Sequence, residues 1–195
     1  MQKNIIKKES GYTILETMIA ISLFIVIVMA GMGALLNANL LSNKAQNMRS
    51  IMDNLSFIVE DMGRNMRTGY TYHCVDSVDP VLTHTNARSC PSGGGGISFK
   101  SSLDSSQWVY FIGTYNGKPG IFKSVDGGVS FVQLTPDEVI LNPVSGFSVL
   151  GAEPPPGDNQ QPFVTIKLVG TIILNSTVST PFSLQTSVSQ RLVDL

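Results

Sequence analysis

The sequence has few charged residues. They make up 14% of its 195 residues, compared with roughly 25% in an average soluble domain. The 13 basic side chains nearly balance the 14 acidic ones, so the formal net charge is −1 and the pI is about 6.1. This balance argues against a basic surface for nucleic acid, and we expect no nucleic-acid partner. So large a charge deficit indicates one strongly apolar segment beside a remainder rich in Ser, Thr and Gly.

Residue types that carry catalysis or bind metals are also scarce. The chain has two histidines and two cysteines, and it has no Gly-x-Ser-x-Gly nucleophile elbow. The glycine run "SGGGGIS" lacks the lysine of a phosphate-binding loop, so we expect a flexible turn there. The side chains that a zinc site would need lack the usual ligand spacing: His73, Cys74, His84 and Cys90. We therefore expect no enzyme activity, no metal and no cofactor.

The two cysteines favour a different role. Cys74 and Cys90 have 15 residues between them, and a disulfide closing a loop of that size stabilises a fold by about 3 kcal/mol in the chain-entropy model. We expect this disulfide if the chain is exported, because disulfides persist in oxidising compartments. The N-terminal segment must therefore indicate the compartment.

That segment contains a long apolar run. Residues Thr17 to Leu36 include no charged side chain, and the first proline in the chain is Pro80. Twenty helical residues span about 30 Å, the thickness of the hydrocarbon core of a bilayer. Lys3, Lys7 and Lys8 precede the run, which orients the N-terminus toward the cytoplasm. We predict one transmembrane helix over about 14–36, with the C-terminal part outside the cytoplasm.

Glu16 is unexpected at the front of this run, because a charge at the bilayer centre costs roughly 2.5 to 3.5 kcal/mol on insertion scales. A cleaved secretory signal would have a shorter apolar core, and a plain signal anchor leaves the acid unexplained. A third interpretation places a processing site at Gly11–Tyr12, on the cytoplasmic side, so that the whole apolar helix stays on the mature protein.

The lysine-rich leader, Gly11, the aromatic Tyr12 and the stretch "YTILETMIAISLFIVI" resemble the N-terminal signal of type IV pilins and type II secretion pseudopilins. The resemblance implies that a prepilin peptidase removes residues 1–11, cleaving between Gly11 and Tyr12, and methylates the new N-terminus. It also implies that Glu16 meets the N-terminal amine of a neighbouring subunit, which would neutralise both charges and set the axial offset. The alternative is that Glu16 faces lipid headgroups.

The helix also departs from that family. Many major pilins have a proline partway along it, where this chain has Gly31 and Gly33. The glycines could locally destabilise the helix, by about 1 kcal/mol each relative to alanine. Alternatively, they could allow close contact between packed helices. The sequence leaves both interpretations open.

After Asn43 the helical period continues with polar residues on one face. Apolar residues recur every three or four positions, which predicts an amphipathic helix whose apolar stripe packs on a sheet: Met48, Ile51, Met52, Leu55, Ile58, Val59, Met62 and Met66. Because no breaker precedes Gly69, we predict one helix over 12–68.

Beyond Gly69 the period becomes two, and Asn116-Gly117 and Asp126-Gly127 are hairpin signals. Residues 69–195 are therefore expected to form an extracytoplasmic β-rich domain with the Cys74/Cys90 loop. A long helix on an antiparallel sheet is an α+β arrangement, the pilin fold. The stretches "NLSFIVEDMGRNMRTGYTYHC" and "LQTSVSQR" are similar to minor pilins or J-type pseudopilins.

These observations predict a minor pilin or pseudopilin, a structural subunit of a type IV pilus or type II secretion filament. Its partners would be other pilins or pseudopilins, the prepilin peptidase and the membrane, which it crosses once before it enters the filament. The alternative is a membrane-anchored extracytoplasmic binding or adhesion protein that does not polymerise.

Overall fold

The structure, a computed structural model, describes residues 11–75, 86–154, 156–175 and 178–191. Most of the leader, residues 1–10, therefore lies outside the described residues, as does His84. The chain forms two compact units, Met1–Gln46 and Asn47–Leu195. The first described helix, α1 (Ile14–Thr68), begins in the first unit and ends in the second.

Helix α1 begins at Ile14, two residues after the predicted start, and it ends where the local chemistry predicts. It ends at Thr68, and the N–H of Gly69 donates to the carbonyl of Asn65 at 3.1 Å. In the second unit its buried side chains follow the predicted apolar stripe: Ile51, Leu55, Ile58, Met62 and Met66. The amphipathic interpretation of this part of the helix is confirmed.

In the described part of the chain ten strands follow the helix, and every pair among them is antiparallel. Their bounds are β1 (Tyr70–Val75), β2 (Cys90–Gly94), β3 (Gly96–Lys100), β4 (Gln107–Tyr115), β5 (Lys118–Ser124), β6 (Val132–Gln133), β7 (Val139–Leu141), β8 (Gly146–Leu150), β9 (Phe163–Asn175) and β10 (Val178–Ser189). The expected α+β class, a long helix with antiparallel sheet, is confirmed.

The strands divide into two sheets. The first has the order β1-β3-β4-β5-β6 and the second the order β10-β9-β8-β2, with β7 pairing β9. Strands β2 and β3 are consecutive in the chain but belong to different sheets, so the backbone crosses between sheets at Gly95. At the β4–β5 turn Asn116 and Gly117 have φ angles of 51° and 78°, as a type I′ hairpin requires.

One hydrophobic core joins α1 to both sheets. The helix contributes Leu55 and Met62, the first sheet Phe99, and the second Phe147 and Ile166, each with 1% or less of its surface exposed. Fully burying such a side chain stabilises the fold by about 1.5–3 kcal/mol. The core therefore holds the second half of α1 on the sheets.

Candidate functional site

The first turn of α1 places Glu16 three residues after Thr13. The backbone N–H of Glu16 donates to the Thr13 Oγ1 at 3.3 Å, and the N–H of Thr17 donates to the Thr13 carbonyl at 3.2 Å. Thr13 is therefore the N-cap of the helix, and Glu16 occupies its third position. Here the carboxylate also lies near the positive end of the helix dipole.

Sequence reasoning missed this cap. The signal was present, because a Thr-x-x-Glu pattern directly before an apolar run is typical of a capping box. The cap uses the backbone N–H of Glu16, and the Glu16 side chain is exposed. The sequence-predicted residues Gly11, Tyr12 and Glu16 are all exposed at this end of the first unit.

The apolar side chains of the first unit lie in the open. Among its exposed large apolar side chains, the exposed fraction ranges from 82% for Tyr12 and Ile14 to 50% for Ile25. A cluster of exposed apolar side chains this large marks a surface that lipid or protein must cover. Gly31 and Gly33 have open space where a Cβ would lie, so neither contacts another part of the described chain.

The two hydroxyl groups between Thr17 and Leu36 donate to carbonyls of the helix itself. The Thr17 hydroxyl donates to the Ile14 carbonyl, and the Ser22 hydroxyl donates to the Ile19 carbonyl, each at 2.8 Å. Because no hydroxyl needs water, the segment suits a hydrocarbon environment. Among the described residues, α1 is the one helix long and apolar enough to cross a membrane.

In the second unit, Cys74 and Cys90 form the predicted disulfide, with their Cα atoms 5.7 Å apart. Both residues are buried. Because these thiols are oxidised, they are not available to bind zinc, and no group of three or more potential ligands occurs in the described part of the chain. The disulfide ties the end of β1 to the start of β2.

A carboxylate holds the segment beside this disulfide. The Ser89 N–H donates to the Glu153 Oε1 at 2.7 Å, and the Ser89 hydroxyl donates to the other oxygen. These hydrogen bonds to the charged form lower the pKa of Glu153. The Ala152 N–H donates in turn to the Ser89 Oγ at 3.0 Å. Glu153 therefore joins residues that are distant in sequence.

The glycine run does not form the flexible turn that we expected. Gly94 ends β2 and Gly96 begins β3. A Cβ on Gly94 would lie 2.1 Å from the Val75 carbonyl oxygen, so the backbones touch where the chain changes sheets. That prediction is wrong because the glycines serve a close approach rather than flexibility.

A half-buried polar cluster connects α1 to the first sheet. The Lys123 Nζ lies 3.1 Å from Asp61 Oδ2 and 4.5 Å from the centroid of the Trp108 ring. The Tyr110 hydroxyl accepts from Asn65 Nδ2 at 2.9 Å. Burial, together with the nearby Asp61 carboxylate, raises the pKa of Tyr110 well above its ordinary value. The cluster positions the helix on the sheet, and no local sequence pattern pointed to it.

Comparison with known proteins adds no identification. No family model, no curated protein and no solved structure matches this chain.

Proposed function

We propose that this chain is a filament subunit of the minor pilin or pseudopilin type, held in the membrane by its first helix before assembly. The observation that carries the proposal is the apolar surface of the first unit, whose apolar side chains from Ile14 to Leu41 are exposed apart from the half-buried Val28. Glu16 lies in the first turn of the helix, at one end of this surface.

A bilayer covers such a surface for a single subunit, and neighbouring helices cover it in a filament. Helices that stack with an axial offset would bring the Glu16 carboxylate of one subunit to the freed amine of Tyr12 in the next. The mutual attraction of the two charges would offset the free energy that it costs to remove each of them from water. This pairing requires removal of residues 1–11, because the Tyr12 nitrogen is otherwise part of a peptide bond.

The N-terminus of the mature protein tests the proposal directly. We expect intact-mass and peptide mass spectrometry, after expression with a prepilin peptidase, to show a chain beginning at methylated Tyr12. A Gly11→Leu variant, with a branched side chain at the cleavage position, should keep residues 1–11. Retention of Met1 in the unmodified chain, or cleavage after the apolar run, would overturn the filament proposal. That outcome would favour an anchored extracytoplasmic binding protein.

A further inference from the structure

Strand β10 forms one edge of the second sheet. It pairs with β9 on one side and with no other described strand. It is 12 residues long, contains no charged residue and runs without a bulge from Ser179 to Ser189. Natural proteins usually protect an edge like this with charges, bulges or a short strand. Between Ser179 and Ser189, Pro181 is the one such device.

The backbone groups on the free edge follow from the bonds of β9. The Val169 carbonyl accepts from the Asn142 N–H, and the Val169 N–H donates to the Ser145 hydroxyl. The backbone N–H and C=O groups of Val169 therefore point away from β10. The residue opposite Val169 in β10 is Ser183. Antiparallel strands alternate hydrogen-bonded and non-hydrogen-bonded pairs, and Val169 with Ser183 is a non-hydrogen-bonded pair. The backbone N–H and C=O groups of Ser183 therefore point away from β9.

The end of β10 has the same alternation. The Gln190 N–H donates to the Pro162 carbonyl on the β9 side, and the Arg191 N–H donates to the Arg67 carbonyl on the opposite side, at 2.8 Å. The backbone N–H and C=O groups of the odd-numbered residues of β10 thus face the free edge. The N–H and C=O groups of Ser183, Gln185 and Ser187 are unpaired in the described structure.

Helix α1 stands beside this edge. A groove of about 290 Å³ runs between Val59, Gly63 and Arg67 of the helix and residues 184–188 of β10. Gly63 makes the approach close, since a Cβ there would lie 3.3 Å from a Val188 methyl carbon. Helix α1 therefore forms one wall of the groove, and β10 forms the other.

The groove also carries a charge. Glu60 forms an ion pair with Arg64 at 3.2 Å, whereas the Arg67 guanidinium has no carboxylate partner among the described residues. Arg67 lies at the end of the groove where β10 finishes. A partner strand running antiparallel to β10 would meet Arg67 near its own N-terminal end.

We infer that this groove binds an extended segment of another polypeptide, which adds to β10 as an antiparallel strand. Main-chain hydrogen bonds to Ser183, Gln185 and Ser187 provide the affinity, as in other strand-addition complexes. The partner has small or apolar residues at alternate positions and a carboxylate near its N-terminal end, opposite Arg67. This inference does not depend on entry into a filament.

The test uses the full chain in lipid nanodiscs and a fluorescent acetylated peptide amide of sequence EVTVTVTS. Two analogues carry N-methyl groups at alternate backbone nitrogens, so that each blocks one edge of the peptide. We expect one analogue to bind like the parent and the other at least about tenfold more weakly, because only one edge pairs with β10. Equal binding of the two analogues, or no saturable binding of the parent up to about 1 mM, would overturn the inference.

Variants of the protein provide an independent arm. Ser187→Pro removes one edge N–H in the way that Pro181 already does, and it should weaken peptide binding about tenfold while β9 pairing persists. Arg67→Gln should abolish the preference for the peptide beginning with Glu over the one beginning with Gln. Arg49→Gln, which removes the same charge from an exposed position of the same helix outside the groove, should keep that preference. If Arg67→Gln retained it, the carboxylate part of the inference would be wrong.

Discussion

The Nζ of Lys123 lies 3.1 Å from Oδ2 of Asp61, and the same ammonium sits 4.5 Å from the centroid of the Trp108 ring. The Lys123 side chain is 20% exposed and that of Asp61 is 36% exposed. One cation, held on one sheet, therefore meets both an aromatic face and a carboxylate on the helix. The pair therefore links α1 directly to the first sheet, in addition to the hydrophobic core.

Replacing Lys123 with Gln should lower the free energy of unfolding by about 1–2 kcal/mol, since both the partly screened ion pair and the cation–π contact are lost. Urea unfolding followed by Trp108 fluorescence measures the change. The matched control is Lys118→Gln, because Lys118 pairs with Asp137 at 3.6 Å and both side chains are mostly exposed. The control should change stability by less than about 0.5 kcal/mol. Equal effects would show that the Lys123 contacts are not special.

Tyr110 should make stability depend on alkaline pH. Its pKa is raised above the ordinary value of 10.0, first by burial and then by Asp61. Because the unfolded chain ionises near pH 10 while the folded phenol stays neutral, the stabilisation is complete below pH 10 and is lost as pH rises above it. Unfolding free energies across this range should fall more steeply for the unmodified chain than for Tyr110→Phe. Parallel curves would contradict this linkage.

The disulfide should contribute substantially to the second unit. Its loop has a sequence separation of 16, so replacing both Cys74 and Cys90 with Ala should lower the unfolding free energy by about 3 kcal/mol. Glu153→Gln keeps the disulfide but removes the charge that holds Ser89, and it should cost less. Denaturant titration of the two variants gives the comparison. A larger loss in Glu153→Gln would mean that the hydrogen bonds, rather than the disulfide, hold this segment.

Two neighbouring glycines should respond very differently to alanine. At Gly94 a Cβ would lie 2.1 Å from the Val75 carbonyl oxygen, whereas at Gly95 the nearest atom would be 3.4 Å away. Gly94→Ala must push the two backbones apart and should destabilise by about 3 kcal/mol or more. Gly95→Ala should change stability by about 1 kcal/mol or less. Thermal unfolding of the two variants tests whether Gly94 is needed for the close approach to the Val75 backbone. Similar melting temperatures for Gly94→Ala and Gly95→Ala would contradict this.

The Thr13 cap and the charge of Glu16 can be tested separately. Thr13→Ala removes the N-cap and should weaken the helix start by about 1 kcal/mol, seen as faster hydrogen exchange of the first helical amides, while filament assembly continues. Glu16→Gln keeps a residue suited to the capping box but removes the charge, so the helix start should persist and assembly should fail. Normal assembly of Glu16→Gln would contradict the proposed pairing with Tyr12.

The long helix and its apolar half follow from local patterns in the sequence. A hydrophobic run, a period of three to four residues and a glycine at position 69 act within a few turns of one helix, so they can be recognised without tertiary contacts. The Asn116-Gly117 turn is of the same kind, because positive φ angles at both residues are a property of the turn itself.

Other features depend on residues that are distant in sequence. The division into two sheets at residues 94–96, the contact of Lys123 with Asp61 and the free edge of β10 all arise from how the strands pair. The local sequence around each of these residues is the same whichever strand pairs beside it, so the local sequence does not indicate the pairing. The sequence by itself therefore determined the long helix and the Asn116-Gly117 turn. Only tertiary packing decided which edge stayed open, because strand order depends on how the whole unit buries its apolar area rather than on any one segment.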